Sequence, residues 1–195
     1  MIRTPMRSPA GQSGVFFLFA LLMGVATSTR AATGDWDLVA RDPPKLQLVM
    51  QLVVTCSDPQ KIGPVENSKD GKRTAVWPIV GGRFQGPGIR GTVIAGGGDF
   101  PVQRPDGVVV IDALYRLRTD DGVTIIIHNR GMAYPKRGPG DEYYRLVPEF
   151  IAPQGKYEWL NSHLFLATLV DVPQSMQLAQ GPHENDRLIE VYEVL

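Results

Sequence analysis

Hydrophobic residues fall on alternate positions from Leu46 onward. Leu46, Leu48, Met50, Leu52 and Val54 share one face of a period-two pattern, the spacing of a β-strand with one buried side. Further segments of strand-like composition are Arg73–Val80, Ile89–Ala95, Val108–Thr119, Val123–Asn129, Tyr143–Ile151, His163–Val170 and Arg187–Val194. Clusters such as Gly96-Gly97-Gly98-Asp99 and Arg137-Gly138-Pro139-Gly140-Asp141 separate them, because Gly, Pro and Asp favour turns. No amphipathic helix longer than two turns interrupts the series. About eight short strands without helical crossovers predict an antiparallel sandwich or barrel. With no internal repeat or low-complexity linker, one domain is expected.

The strongest local prediction is a hairpin. Thr119-Asp120-Asp121-Gly122-Val123 has the form of a type I turn followed by a left-handed glycine, so Thr119 faces Val123. That register pairs Leu117 with Ile125, Tyr115 with Ile127 and Ala113 with Asn129 on one face. The other face pairs Arg118 with Thr124, Arg116 with Ile126, Leu114 with His128 and Asp112 with Arg130, the last as a cross-strand ion pair. The first face is mostly apolar and should be the interior. A slip by one residue would exchange the faces.

The N-terminus follows a different pattern. Arg3 and Arg7 precede the apolar run Val15–Met23, and Thr29 and Ala31 sit at −3 and −1 of a cleavage site. Residues 1–31 therefore read as a secretory signal peptide. The run is about a dozen residues, short of the roughly 20 needed to span a bilayer. Residues 32–45 are a flexible lead-in and residues 46–195 the folded domain. The expected location is periplasmic or secreted, with no stable membrane anchor after cleavage.

The chain has 195 residues, with 20 basic and 20 acidic side chains. Cleavage removes Arg3, Arg7 and Arg30 but no acid, leaving 17 basic and 20 acidic residues, a net of about −3. A mildly acidic chain offers nothing to nucleic acid, which calls for a basic surface. Cys56 is the only cysteine, so no intramolecular disulfide forms and the core must hold the fold alone. Cys56 itself is expected to be a buried small residue and not a nucleophile.

Conventional motifs are weak. Gly86-Pro87-Gly88-Ile89-Arg90-Gly91 matches G-x-G-x-x-G, but strand-like Thr92–Ala95 follows where a dinucleotide site needs a helix. His128, His163 and His183 lack metal-ligand spacing, and no G-x-S-x-G elbow is present. No metal and no cofactor are expected. Polar groups on an enclosed face remain. Tyr115 and Asn129 lie on the predicted inner face, and Tyr144, Arg145, Glu149, Trp159 and Asn161 belong to later segments expected to close the same cavity. Several hydrogen-bonding groups and aromatics around one interior suit a small-ligand pocket.

A longer set of motifs carries a family resemblance. In order these are Gly81-Gly82-Arg83-Phe84, Gly91-Thr92-Val93, Gly96-Gly97-Gly98-Asp99-Phe100, Asp112-Ala113-Leu114-Tyr115, Leu117-Arg118-Thr119-Asp120-Asp121-Gly122, Asn129-Arg130-Gly131, Tyr143-Tyr144-Arg145 and Trp159-Leu160-Asn161. The series, from about Leu46 to Leu195, resembles an exported bacterial member of the domain-of-unknown-function 3237 family, also known as uncharacterised protein family 0311. The resemblance implies an all-β fold, a single antiparallel β-barrel of calycin or allene-oxide-cyclase-like type, with no prosthetic group and no established activity.

Two kinds of function are expected from these residues. In the first, the chain is a cofactor-independent isomerase, cyclase or lyase acting on a small cyclic or aromatic compound. Tyr115 or Glu149 would move a proton, Asn129 and Arg145 would hold a developing oxyanion, and Tyr144, Trp159 and Asn161 would shape the pocket. In the second, the same residues orient a ligand in a non-catalytic carrier or sensor. A solidly packed interior would instead indicate a structural domain. A small-molecule ligand is the expected partner, and a homo-oligomer is compatible with the chain.

Overall fold

The computed structural model describes residues 40–62, 70–134, 143–177 and 184–195. The segment expected to be a signal peptide, the Arg137–Asp141 cluster and His183 lie outside them. Eight long strands follow one another in the chain: β1 (Leu46–Cys56), β3 (Arg73–Gly86), β4 (Ile89–Asp99), β6 (Val109–Thr119), β7 (Thr124–Tyr134), β8 (Tyr143–Ile151), β9 (Phe165–Asp171) and β10 (Asp186–Val194). The two-residue strands β2 (Gln60–Lys61) and β5 (Val102–Gln103) pair at the edges of β3 and β6. Each long strand pairs antiparallel with the next. β1 pairs with both β10 and β3, which closes the sheet into an eight-stranded barrel. Closure leaves no long exposed strand edge among the described residues.

The β6–β7 hairpin has the expected register, from Asp112 opposite Arg130 to Arg118 opposite Thr124. Thr119 N donates to Val123 O at 2.9 Å, and Gly122 (φ +87°) donates back to Thr119 O at 2.9 Å. The Thr119 hydroxyl accepts from Val123 N at 2.9 Å and donates to Asp121 Oδ1. Ile111, Ala113, Tyr115, Leu117, Ile125, Ile127 and Asn129 are all buried, so the predicted inner face is the inner face.

Three details differ from expectation. Leu46 and Leu48 are exposed, because β1 shifts register after Leu48 and only Met50, Leu52 and Val54 of that series are buried. Asp112 does not pair with Arg130: it meets His128 Nε2 at 2.6 Å, while Arg130 reaches across to Glu149 at 2.6 Å. Glu149 lies directly opposite His128 on β8, so the diagonal to β8 offers Arg130 a carboxylate and leaves Asp112 to the imidazole. The Gly96-Gly97-Gly98-Asp99 cluster also does not end a strand. β4 runs through it, with a register shift against β6 between Ile94 and Gly98. A Cβ on Gly97 would lie 2.5 Å from Tyr115 Cβ and 2.7 Å from Leu114 O. Only glycine lets the strand pass this close, and the bulge supplies curvature that closes the barrel.

One end of the barrel is plugged. The chain after β8 forms a 3-10 turn, Glu158–Asn161, with Tyr157 and Leu160 buried beneath it. Trp159 packs edge-on against Phe165 at 5.8 Å, and Phe165 against Phe150 at 5.1 Å. Tyr157 Oη donates to Asp121 Oδ2 at 2.9 Å, tying the plug to the hairpin tip. The motif Gly86–Gly91 forms the tight β3–β4 turn and leads straight into a strand, so it holds no helix N-terminus for a phosphate.

Candidate functional site

The barrel interior is packed through its middle by Leu52, Phe84, Val93, Leu117, Ile125, Ile127, Leu146 and Val191. Toward the end away from the plug the packing opens into a pocket of about 220 Å³. Every long strand contributes to it: Cys56 from β1, Trp77 from β3, Asp99 from β4, Val109 and Ile111 from β6, Ala133 from β7, Tyr144 from β8, Leu169 from β9 and Arg187 from β10. This is the mouth of a small barrel, where strand ends converge on one volume.

Asp99 is the acidic group of this pocket. Trp77, Asp99, Ala113 and Asn129 stand in one row across β3, β4, β6 and β7, each opposite the next. Ala113, with the smallest side chain of the row, stands between Asp99 and Asn129. Asp99 Oδ1 accepts the backbone N–H of Asp112 at 3.1 Å. Burial nevertheless raises its pKa, outweighing the Asp112 and Phe100 amides that lower it, and the nearby Asp112 carboxylate adds to the rise. The carboxyl therefore holds its proton more tightly than a solvated aspartate.

A polar layer lies beneath. Tyr115 is 2% and Asn129 1% exposed. Burial first, and then the charges of Cys56 and Asp99, push the Tyr115 phenol well above its usual range, while the Asn129 amide acts in the opposite direction. The two groups are close enough to feel each other, yet no hydrogen bond of standard geometry joins them: Tyr115 Oη and both amide atoms of Asn129 lack a partner. Leaving such groups unpaired costs about 1–3 kcal/mol each, a cost an apolar core would avoid. Cys56 lines the wall above. Its thiol is pushed up to about 11, by burial first and by Asp99 second, so it stays protonated and unreactive.

The residues singled out from the sequence divide three ways. Tyr115, Asn129 and Tyr144 gather at or below the mouth. Glu149 and Arg145 do not: odd-numbered positions of β8 face outward, and both side chains are exposed. Glu149 is taken by Arg130; the Arg145 guanidinium lies 5.2 Å over the Tyr143 ring and donates to Tyr144 O at 2.8 Å. They line a shallow outer depression of about 540 Å³ across β6–β9, larger than the mouth pocket but without a buried polar group. Trp159 and Asn161 lie at the plugged end, a full strand from the mouth. Asn161 is committed to the chain itself, accepting Ala152 N at 2.8 Å and donating to Ala152 O at 2.9 Å. Asp99, Trp77 and Arg187 are the residues that sequence reasoning missed. The signal for Asp99 was its place after three glycines, which read as a turn but mark a bulge. Among the described residues no three His, Cys, Asp or Glu side chains cluster closely enough to hold a metal.

Comparison with known proteins agrees with this architecture. The model of the family described as "Protein of unknown function (DUF3237)" matches residues 44–180. The chain belongs to the DUF3237 family. A UPF0311 protein of Clostridium acetobutylicum is 32% identical over 142 residues, covering 67% of this chain and 88% of the relative. A more distant relative is the hydroalkoxylation enzyme phnH of Penicillium herquei, 30% identical over 146 residues, covering 74% and 84% of the two chains. Among solved structures, a β-barrel-like protein of Acinetobacter baumannii superposes with a TM-score of 0.66 at 21% identity, covering 80% of this DUF3237 chain and 99% of its own. That likeness is one of fold.

Proposed function

We propose that this protein is a cofactor-independent acid/base enzyme whose mouth pocket converts a small cyclic or aromatic compound, with addition of a hydroxyl across a carbon–carbon double bond as the favoured reaction. The observation that carries the reading is Asp99, a carboxyl with raised proton affinity facing inward into a pocket that all eight long strands build. The relative named a hydroalkoxylation enzyme supplies the reaction class.

The step balances without an added reagent when the double bond is conjugated to a carbonyl. Asp99 takes the proton of the attacking hydroxyl as the C–O bond forms. The electron pair of the double bond moves to the carbonyl oxygen, for which the unpaired Tyr115 hydroxyl and Asn129 amide of the layer beneath the pocket are the candidate hydrogen-bond donors. Protonated Asp99 then returns the proton to the adjacent carbon. Trp77 and Tyr144 hold the ring.

The test is a turnover screen of hydroxylated aromatic enones with the full-length protein and three variants. Asp99→Asn is expected to lower turnover by about 10²–10⁴-fold, the usual share of a general acid/base. Tyr115→Phe and Asn129→Leu are each expected to lower it by about 10²-fold, in the range of one oxyanion donor, with melting temperatures at or above wild type. Turnover indifferent to Asp99 removes the enzyme reading. Binding that depends on Tyr115 and Asn129 with no conversion at all makes the pocket a carrier or sensor site.

A further inference from the structure

The pocket also carries a cation that the proposed acid/base chemistry does not use. Arg187 is half-buried on β10, opposite Val54 of β1 and Asp171 of β9, and lines the mouth. Among the described residues its guanidinium donates through Nη1 alone, to the carbonyls of Glu184 at 3.0 Å and Asp186 at 2.7 Å. Among the described residues no carboxylate forms an ion pair with it. The Nε–Nη2 edge, which can meet both oxygens of a carboxylate side by side, is uncommitted. Of the other ionisable groups on the pocket wall, Cys56 is a neutral thiol, and Asp99 makes no ion pair with Arg187 among the described residues. The open guanidinium edge thus offers an anion a partner that no side chain of the wall has taken.

The shape narrows the choice further. In the closed ring of eight long strands, β3 and β8 stand four places apart, diametrically opposed. Trp77 and Tyr144 therefore face each other across the mouth and bound a slot. At about 220 Å³ the space is below the roughly 300–1,000 Å³ of drug-sized sites and suits one ring with few substituents.

We propose that the ligand of this pocket is a small aromatic carboxylate, its ring between Trp77 and Tyr144 and its carboxylate on the free edge of Arg187. This rests on the mouth pocket being the functional site, and it adds the ligand's charge and the residue that reads it. The arrangement also serves the acid/base step, because an anion held in the same mouth raises the proton affinity of Asp99 further.

Calorimetric titration of the full-length protein with 4-hydroxybenzoate, its methyl ester and 4-hydroxybenzylamine tests the inference. The acid is expected to bind at least tenfold more tightly than the ester, and the amine not at all. Arg187→Gln should erase the preference for the acid over the ester, and Arg187→Lys should restore part of it. Equal affinity for acid and ester in the wild-type protein overturns the inference, and that comparison needs no variant to fold. Failure of the acid to bind at millimolar concentration overturns it as well. Asp99→Asn separates the two readings: it should lower turnover by about 10²–10⁴-fold while keeping acid binding. If turnover survives that change but the Arg187-dependent preference stands, the acid/base chemistry fails and the charge assignment holds.

Discussion

At the scale of single residues, the mouth pocket trades stability for chemistry. Asp99 has a folded pKa above its unfolded value. For a carboxylic acid this means that the folded state holds the proton more tightly, so the group costs stability once the pH exceeds the unfolded value near 3.9. Asp99→Asn keeps the acceptor for the Asp112 amide and removes the charge. The variant is expected to be more stable than wild type at pH 7, with the difference shrinking as the pH falls toward about 4; thermal melts across that range check it. A variant less stable than wild type at pH 7 would show that Asp99 is a structural ion. Glu149 offers the contrast. It is an ordinary surface partner of Arg130, and exposed pairs of this kind are worth at most about 1 kcal/mol. Only its parity along β8 distinguishes it from a residue inside the barrel.

At the scale of elements, two features set the site. The first is the bulge in β4. Gly97→Ala places a methyl group 2.5 Å from Tyr115 Cβ, against backbone that cannot move freely. The expected cost is about 1–3 kcal/mol, typical of overpacking, with Tyr115 displaced and ligand response lost together; chemical denaturation beside the ligand titration checks both. The second is the plug. Asp121 accepts from the Thr119 hydroxyl, from Tyr157 Oη and from Lys156, and the Thr119 bond, followed by that of Tyr157, lowers its pKa to about 2. A depressed carboxylate pKa contributes stability that is present above the unfolded value and lost as pH falls through the folded one. Asp121→Asn is therefore expected to lower the melting temperature at pH 7, and the gap from wild type should close between about pH 4 and pH 2. The mouth pocket lies at the other end of the barrel, so ligand affinity should survive in the folded variant.

At the scale of the whole molecule, the plug fills one end of the barrel, and the inward-facing pocket of the described residues lies toward the other. We propose that the chain is exported. N-terminal sequencing of the protein from the producing cell is expected to begin at or near Ala32, and full-length chain retained in membranes would contradict this. How much of the molecule could be read from the sequence depends on the range of the interactions involved. The eight strands, the β6–β7 register and the burial of Tyr115 and Asn129 were legible, because alternation and the Asp-Asp-Gly turn are local and a slip would expose an entire apolar face. The mouth was not. Trp77 turns inward because β3 shifts register between Ile79 and Arg83, which exchanges the faces of the residues before Gly81 and leaves Val80 exposed. Asp99 sits beyond a second bulge that the glycines only permit. The sequence by itself determined the elements, their order and one correct hairpin, since each follows from neighbours along the chain. Which ends of which strands meet around Asp99 and Arg187 was decided by closure of β1 onto β3 and β10, a long-range pairing that no local pattern records.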